Sequence, residues 1–146
     1  MAVTTQKLKD YLNGNQTIIL ATIGIDGAPD VRTIGGFGIS EFTIYLSTAK
    51  ESNKVKQLEK VNKVALFFQH DNEFISKYFN ATVFGRADLV DTEVEFNKGK
   101  DLIQGRKPHL NISKETHNIY KISPEFIKTV DLSEKRPEDR VAVFEF

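Results

Sequence analysis

Between Thr17 and Lys60 three strand-length runs follow one another with only turn signals between them, and a helical pattern opens only after the third. Strands joined this tightly pair antiparallel, because a parallel pair needs a crossover of a dozen or more residues. The first run, residues 17–23, is apolar at nearly every position, the mark of a strand covered on both faces. Ile25-Asp26-Gly27 carries the Asp-Gly signal of a tight hairpin, and Pro29 stands just beyond it, where a strand start tolerates proline. The second run, from about residue 30 to 37, places Arg32 in an otherwise apolar or glycine-rich segment. Its glycines Gly35, Gly36 and Gly38 mark a bulge or a place where something approaches the backbone closely. The third run, residues 42–47, alternates Phe42, Ile44 and Leu46 against Thr43, Tyr45 and Ser47.

The remaining segments extend the same pattern. Residues 4–13 predict a short amphipathic helix, and Val55, Leu58 and Val61 form the buried stripe of a second. Two caps fit that second helix: Thr48 with Glu51 matches the capping box, while Ser52 suits a later start. Residues 63–69 and 78–90 read as strands, the latter with a bulge at Gly85. A helix over 92–104 is weakened by Gly99, so two separate turns are as consistent with it as one helix. Residues 117–123 and 125–130 read as strands on either side of Pro124, the segment 131–140 as a surface loop, and 141–146 as a last short strand. The expectation is one domain over 1–146, with its core at about 15–130 and a tail after it. The class is mainly β with short helices, a small antiparallel barrel rather than a βαβ sheet.

Composition removes several functions. Lysine plus arginine and aspartate plus glutamate number 20 each, so no overall charge draws the chain to nucleic acid or an anionic membrane. With no cysteine there is no disulfide, thiolate metal site or cysteine nucleophile. No run approaches eighteen apolar residues and the first fifteen lack a signal-peptide core, which makes a cytoplasmic address the expectation. His70, His109 and His117 share no ligand spacing, and no metal site is expected. His70-Asp71 resembles a base and its orienter, but adjacent residues rarely face each other productively.

One constellation stands out. Ser47, Thr48, Ser52, Asn53 and Lys54 gather hydroxyls and a cation at the mouth of the second helix, where a cation faces the positive end of the backbone dipoles. An anion at that place makes sense of the arrangement, since N–H groups, hydroxyls and lysine would all point at it. Arg32, one strand away, adds a planar guanidinium suited to bidentate phosphate contacts. Taken alone, Arg32 also reads as a strand arginine reaching solvent or pairing with an acidic neighbour, and Lys54 as a solvated helix lysine.

In order and spacing, Gly24–Gly27, Val31-Arg32, Tyr45-Leu46-Ser47-Thr48, Ser52-Asn53-Lys54 and Phe84-Gly85-Arg86-Ala87 resemble the pyridoxamine 5'-phosphate oxidase-like, FMN-binding split-barrel family, and within it the general-stress-protein-26-like proteins. The resemblance covers roughly residues 5–130. It implies an antiparallel six-stranded split β-barrel forming a homodimer with FMN at the subunit interface, and a flavin-dependent oxidoreductase acting on a small molecule. On that pattern Arg32 and Lys54 contact the flavin phosphate with Thr48, Ser52 and Asn53 helping, and Ser47 is a further cofactor-binding candidate that reads equally as the end of a polar strand face. Backbone at Thr33 and Ile34 lines the ring, and Asn80 falls at a flavin-contacting position. Two departures speak against oxidation of pyridoxamine phosphate itself. Phe37 replaces the lysine that holds the substrate phosphate, offering an apolar surface instead, and the chain ends at Phe146 without the family's C-terminal extension. Asn53 also stands where the oxidase has a second cation. A non-catalytic flavin carrier or sensor, and a haem- or deazaflavin-binding member of the fold, remain as alternatives.

Overall fold

The computed structural model describes residues 4–15, 17–69 and 73–146. Its strands are β1 (Ile18–Ile23), β2 (Pro29–Ile34), β3 (Phe37–Ser40), β4 (Thr43–Ala49), β5 (Lys63–Phe68), β6 (Phe79–Leu89), β7 (His117–Asp131) and β8 (Val141–Glu145). Three helices intervene: α1 (Thr5–Gly14), α2 (Asn53–Lys60) and α3 (Glu93–Arg106). All the strands belong to one antiparallel sheet ordered β2-β1-β5-β6-β7-β4-β3, with β8 paired to β7. Among the described residues no ladder joins β2 to β3, so the sheet is a curled, open half-barrel.

The six strands implied by the resemblance are eight in the structure, and the eight runs read from the sequence are regrouped within it. The glycine-rich second run breaks after Ile34, so that β2 pairs with β1 while β3 pairs with β4. The tail after residue 131 returns as β8. In the other direction, the two runs flanking Pro124 are one strand. Phe84 pairs with Phe126 and Gly85 with Pro124, which leaves Glu125 as the extra residue of a bulge. Proline, lacking an N–H, is tolerated at such a break in the ladder. The Asp-Gly hairpin forms as expected, with Gly27 N donating to Gly24 O at 2.8 Å and Gly27 at φ 87°.

Two cores result. One face of the sheet wraps Leu20, Phe37, Leu46, Leu66, Val83 and Ile122, closed at one end by Leu8 and Leu12 of α1. Tyr11 of that helix donates its hydroxyl to Phe68 O at 2.9 Å and Phe79 O at 2.7 Å, which pins α1 to β5 and β6. The second core lies behind β4 and β7, where Tyr45 and Ile119 meet Phe96 and Ile103 of α3. This accounts for β4 burying Ile44, Tyr45 and Leu46 in succession rather than alternating.

Helix α3 runs unbroken through Gly99 because the missing side chain is what lets it dock: a Cβ there would lie 3.0 Å from both Tyr45 and Ile119. Gly38 plays the reciprocal part on β3, where a Cβ would come 2.6 Å from the Leu102 carbonyl carbon. The close approach signalled by that glycine is therefore made by the chain's own helix. Arg106, in the last turn of α3, donates to Asn13 O at 2.8 Å and to Asn15 O, tying α3 to the end of α1.

The face of β1, β5 and β6 turned away from the main core is apolar but only half covered. The ladder registers align Val31, Ala21, Ala65, Phe84 and Phe126 in one row across five strands. Val31 is 63% exposed, and the rings of Phe84 and Phe126 stack at 4.6 Å.

Candidate functional site

Arg32 lies on β2 opposite Leu20 of β1, and α2 crosses the same end of β1. This placement brings together residues far apart in the chain. Arg32 Nη1 donates to Thr22 Oγ1 at 2.8 Å and to Leu20 O at 3.2 Å. Its Nη2 donates to Gln57 Oε1 at 3.1 Å and pairs with Asp30 Oδ2 at 2.9 Å. Thr22 Oγ1 donates to the same Gln57 Oε1 at 2.6 Å, and Gln57 Nε2 donates to Asp30 Oδ2 at 3.0 Å. Thr22 and Gln57 are buried; the Asp30 side chain is 52% exposed. The hydrogen bond from Gln57, and after it the charge of Arg32, hold the Asp30 carboxyl below its usual range.

Lys54 stands in the first turn of α2, half-buried. Burial, and after it the positive charge of Arg32, push its amine below the ordinary lysine value. Asp30 balances Arg32, whereas no carboxylate pairs with Lys54 Nζ among the described residues. No acidic residue occupies the first turn of the helix either. A lysine there, desolvated beside a second cation, is a charge in want of a counter-ion.

The hydroxyls stand at the mouth of the same helix. Of the two caps, Ser52 is the one used: it holds the N-cap position of α2, while Thr48 is a buried residue of β4. Ser52 makes no side-chain bond to the helix, because its Oγ lies 3.0 Å from Thr48 Oγ1. Ser47, one residue back, faces Gly36, its Oγ 3.5 Å from that carbonyl.

Other expected site residues fall differently. Thr33 is exposed on β2, while the side chain of Ile34 enters the main core, leaving only its backbone to face a ring. Asn53 opens α2 and, with Gly24, Ile25, Ala28, Asp30 and Gln57, lines a groove of about 590 Å³ between the hairpin turn and the helix. Asn80 lies on β6, three strands from Arg32 in the sheet order, about 14 Å across the ladders. One chain does not bring it to the cluster. Phe37 presents no apolar surface: it is fully buried, packed edge-on against Phe68, with the Arg106 guanidinium 4.4 Å above its ring. His70 and Asp71 lie outside the described residues.

The residues that sequence reasoning missed are Thr22, Asp30 and Gln57. Only Asp30 left a signal: at two residues before Arg32 it shares a strand face with the arginine. Gln57 sits inside the α2 stripe, where a polar residue reads as a flanking one.

The open half-barrel brings Arg32 of β2 close enough to Lys54, at the start of α2, for the two charges to act on each other. The chain belongs to the pyridoxamine 5'-phosphate oxidase family, whose model matches residues 4–131. No curated protein shows significant sequence similarity to it. Among solved structures it is similar to a protein of Clostridium acetobutylicum related to general stress protein 26 of B. subtilis, at 17% identity over 97% of this chain and 94% of that one, with a TM-score of 0.74. A conserved hypothetical protein of Mycobacterium tuberculosis matches at 18% identity over 91% and 88%, with a TM-score of 0.78. A heme binding protein of Mycobacterium smegmatis matches at 10% identity over 99% of this chain, which spans 59% of that one, with a TM-score of 0.80. At these identities the likeness is one of fold. Among the described residues, no helix is long and apolar enough to cross a membrane.

Proposed function

We propose that the protein binds FMN and serves as a cytoplasmic flavin-dependent oxidoreductase for a small molecule. The observation that carries this reading is the half-buried Lys54 amine, without a carboxylate partner, beside Arg32 and the Thr48–Ser52 hydroxyl pair. In a family named for pyridoxamine 5'-phosphate oxidase, a dianionic phosphate is the ligand group such a place accommodates. Lys54 supplies the point charge, Ser52 and Thr48 hydroxyl donors, and the first turn of α2 its N–H groups. Bound FMN would supply the redox chemistry, and the chain's residues would place and orient it. The backbone of Thr33 and Ile34 would lie along the ring, and Asn53, Ser47 and the groove beside Asp30 would bound the remainder.

A homodimer belongs to the same reading. The row from Val31 to Phe126 is the apolar surface a second copy would cover, and closing it would complete a split barrel on each side of a two-fold axis. A stable pair should bury more than about 2,000 Å² in total. Asn80, too far from Arg32 within one chain, would reach the flavin from the other protomer. Phe37, sealed in the core, leaves no phosphate-binding cation at its position, so pyridoxamine 5'-phosphate is not the expected substrate.

Titration of the purified protein with FMN and with riboflavin, followed by flavin fluorescence, tests the reading. FMN should bind far more tightly, and equal affinities would remove the phosphate from the site. The visible spectrum of protein purified without added cofactor separates the alternatives: flavin bands support the proposal, and a Soret band would move the protein to haem binding. Sedimentation as a monomer at micromolar concentration with FMN present would refute the dimer.

A further inference from the structure

We infer that Asp30 is a resident anion on the Arg32 fork, one that a phosphate must displace, and that it sets the affinity of the site for phosphate ligands. The inference rests on the phosphate-binding reading above and goes beyond it by naming what opposes the ligand. A guanidinium offers five N–H donors. Four of the contacts made by Arg32 are inside the protein: Leu20 O, Thr22 Oγ1, Gln57 Oε1 and Asp30 Oδ2. No bidentate approach is open while all four stand. Three of these partners cannot leave. Leu20 O belongs to a strand, Thr22 is 1% exposed and Gln57 is 8% exposed. Asp30 is half-exposed and borders the groove, so it is the partner free to swing away.

Its departure releases two donors together. Arg32 Nη2 at 2.9 Å and Gln57 Nε2 at 3.0 Å both point at the same carboxylate oxygen, Oδ2. An oxygen of a phosphate monoester arriving there meets the same pair, with the Lys54 amine at hand for its second charge. The carboxylate therefore occupies the place of the ligand oxygen, and Gln57 acts as a positioning residue that serves either anion. The charged groups around the exchange are Arg32 and Lys54 on the receiving side, with Asp26 and Lys56 on the groove wall. Removing the Asp30 charge should raise phosphate affinity about tenfold, the scale of one screened like-charge interaction near 5 Å.

Calorimetric titration of wild type, Asp30→Asn and Asp30→Ala with inorganic phosphate tests this, with thermal melts of each variant to show that it folds. Both variants binding phosphate about tenfold more tightly is the expected result. Unchanged affinity, or weaker binding in both variants, would show that Asp30 orients Arg32 instead of competing with the ligand, and would overturn the inference. Parallel titrations with FMN and riboflavin keep the two readings apart. Tighter phosphate binding without a preference for FMN would uphold the role of Asp30 and refute the flavin. A preference for FMN that Asp30→Asn leaves unchanged would do the reverse. No response to phosphate or FMN by any of the three proteins would refute both.

Discussion

Replacing Gln57 by leucine removes the α2 side chain that joins β1 and β2 at the site. Its amide accepts from Thr22 Oγ1 at 2.6 Å and from Arg32 Nη2 at 3.1 Å, and donates to Asp30 Oδ2 at 3.0 Å. The first bond is buried and neutral, worth about 0.5–1.5 kcal/mol net, and the one from the part-buried Arg32 guanidinium lies nearer about 1.5 kcal/mol. Asp30 and Arg32 are part-exposed and regain water or each other, which discounts the charged pair. Leucine also keeps most of the volume, so no cavity adds to the loss. The expected destabilisation is about 2–3 kcal/mol in urea unfolding. Thr22→Val alone should cost about 1 kcal/mol. Because both substitutions delete the same 2.6 Å bond, the double variant should fall short of the sum by about 0.5–1 kcal/mol. Strict additivity would show that the Thr22–Gln57 bond contributes nothing, and the network would then be no more than an alignment of side chains.

Four further substitutions probe the site and the packing of α3. Lys54→Met should stabilise the apoprotein, by no more than about 1 kcal/mol given solvent screening, while erasing the preference for FMN over riboflavin; thermal melts and flavin titrations read the two effects. Asp30 has a lowered folded pKa, so its stabilising contribution is present above the ordinary aspartate range and is lost as pH falls through the lowered folded value. Asp30→Asn should therefore flatten the acid limb of a stability–pH profile, and an unchanged limb would show that the Arg32 pair does not form. Gly38→Ala should destabilise by about 1–3 kcal/mol by forcing α3 off β3. Gly35→Ala, with nothing within 4 Å of its Cβ, should stay within about 1 kcal/mol of wild type.

The sequence was most legible where a structural rule is local. The Asp-Gly hairpin, the α2 stripe of Val55 and Leu58, and the antiparallel order of the first strands each depend on neighbours in the chain, and each appears in the structure. Helix α3 was less legible because Gly99 lowers helix propensity locally while its benefit comes from Tyr45 and Ile119, both far away in sequence. Pro124 misled in the same way. A break was expected from its missing N–H, yet the opposing Gly85 and the extra Glu125 place that missing donor at a bulge, where β7 runs on.

The site shows the same division at higher resolution. Hydroxyls and a lysine at a helix start can be read from a stretch of eight residues, and in the structure Thr48 and Ser52 pair through their hydroxyls while Lys54 lies in the first turn of α2. Arg32 cannot be read that way, because its ligand-facing and self-satisfied forms leave the same letters in the sequence. Pairing with an acidic neighbour was the alternative to binding a ligand, and the 2.9 Å contact with Asp30 is that pairing. Yet the pair leaves Lys54 uncompensated and aims Gln57 Nε2 at the shared oxygen, a geometry that a purely structural ion pair does not require. Leu20, Thr22 and Gln57 hold the guanidinium in position, while the exposed Asp30 carboxylate occupies its remaining donor until another anion displaces it. An incoming phosphate would then find its donors already oriented, and the cost of ordering a long side chain would be met in folding rather than in binding.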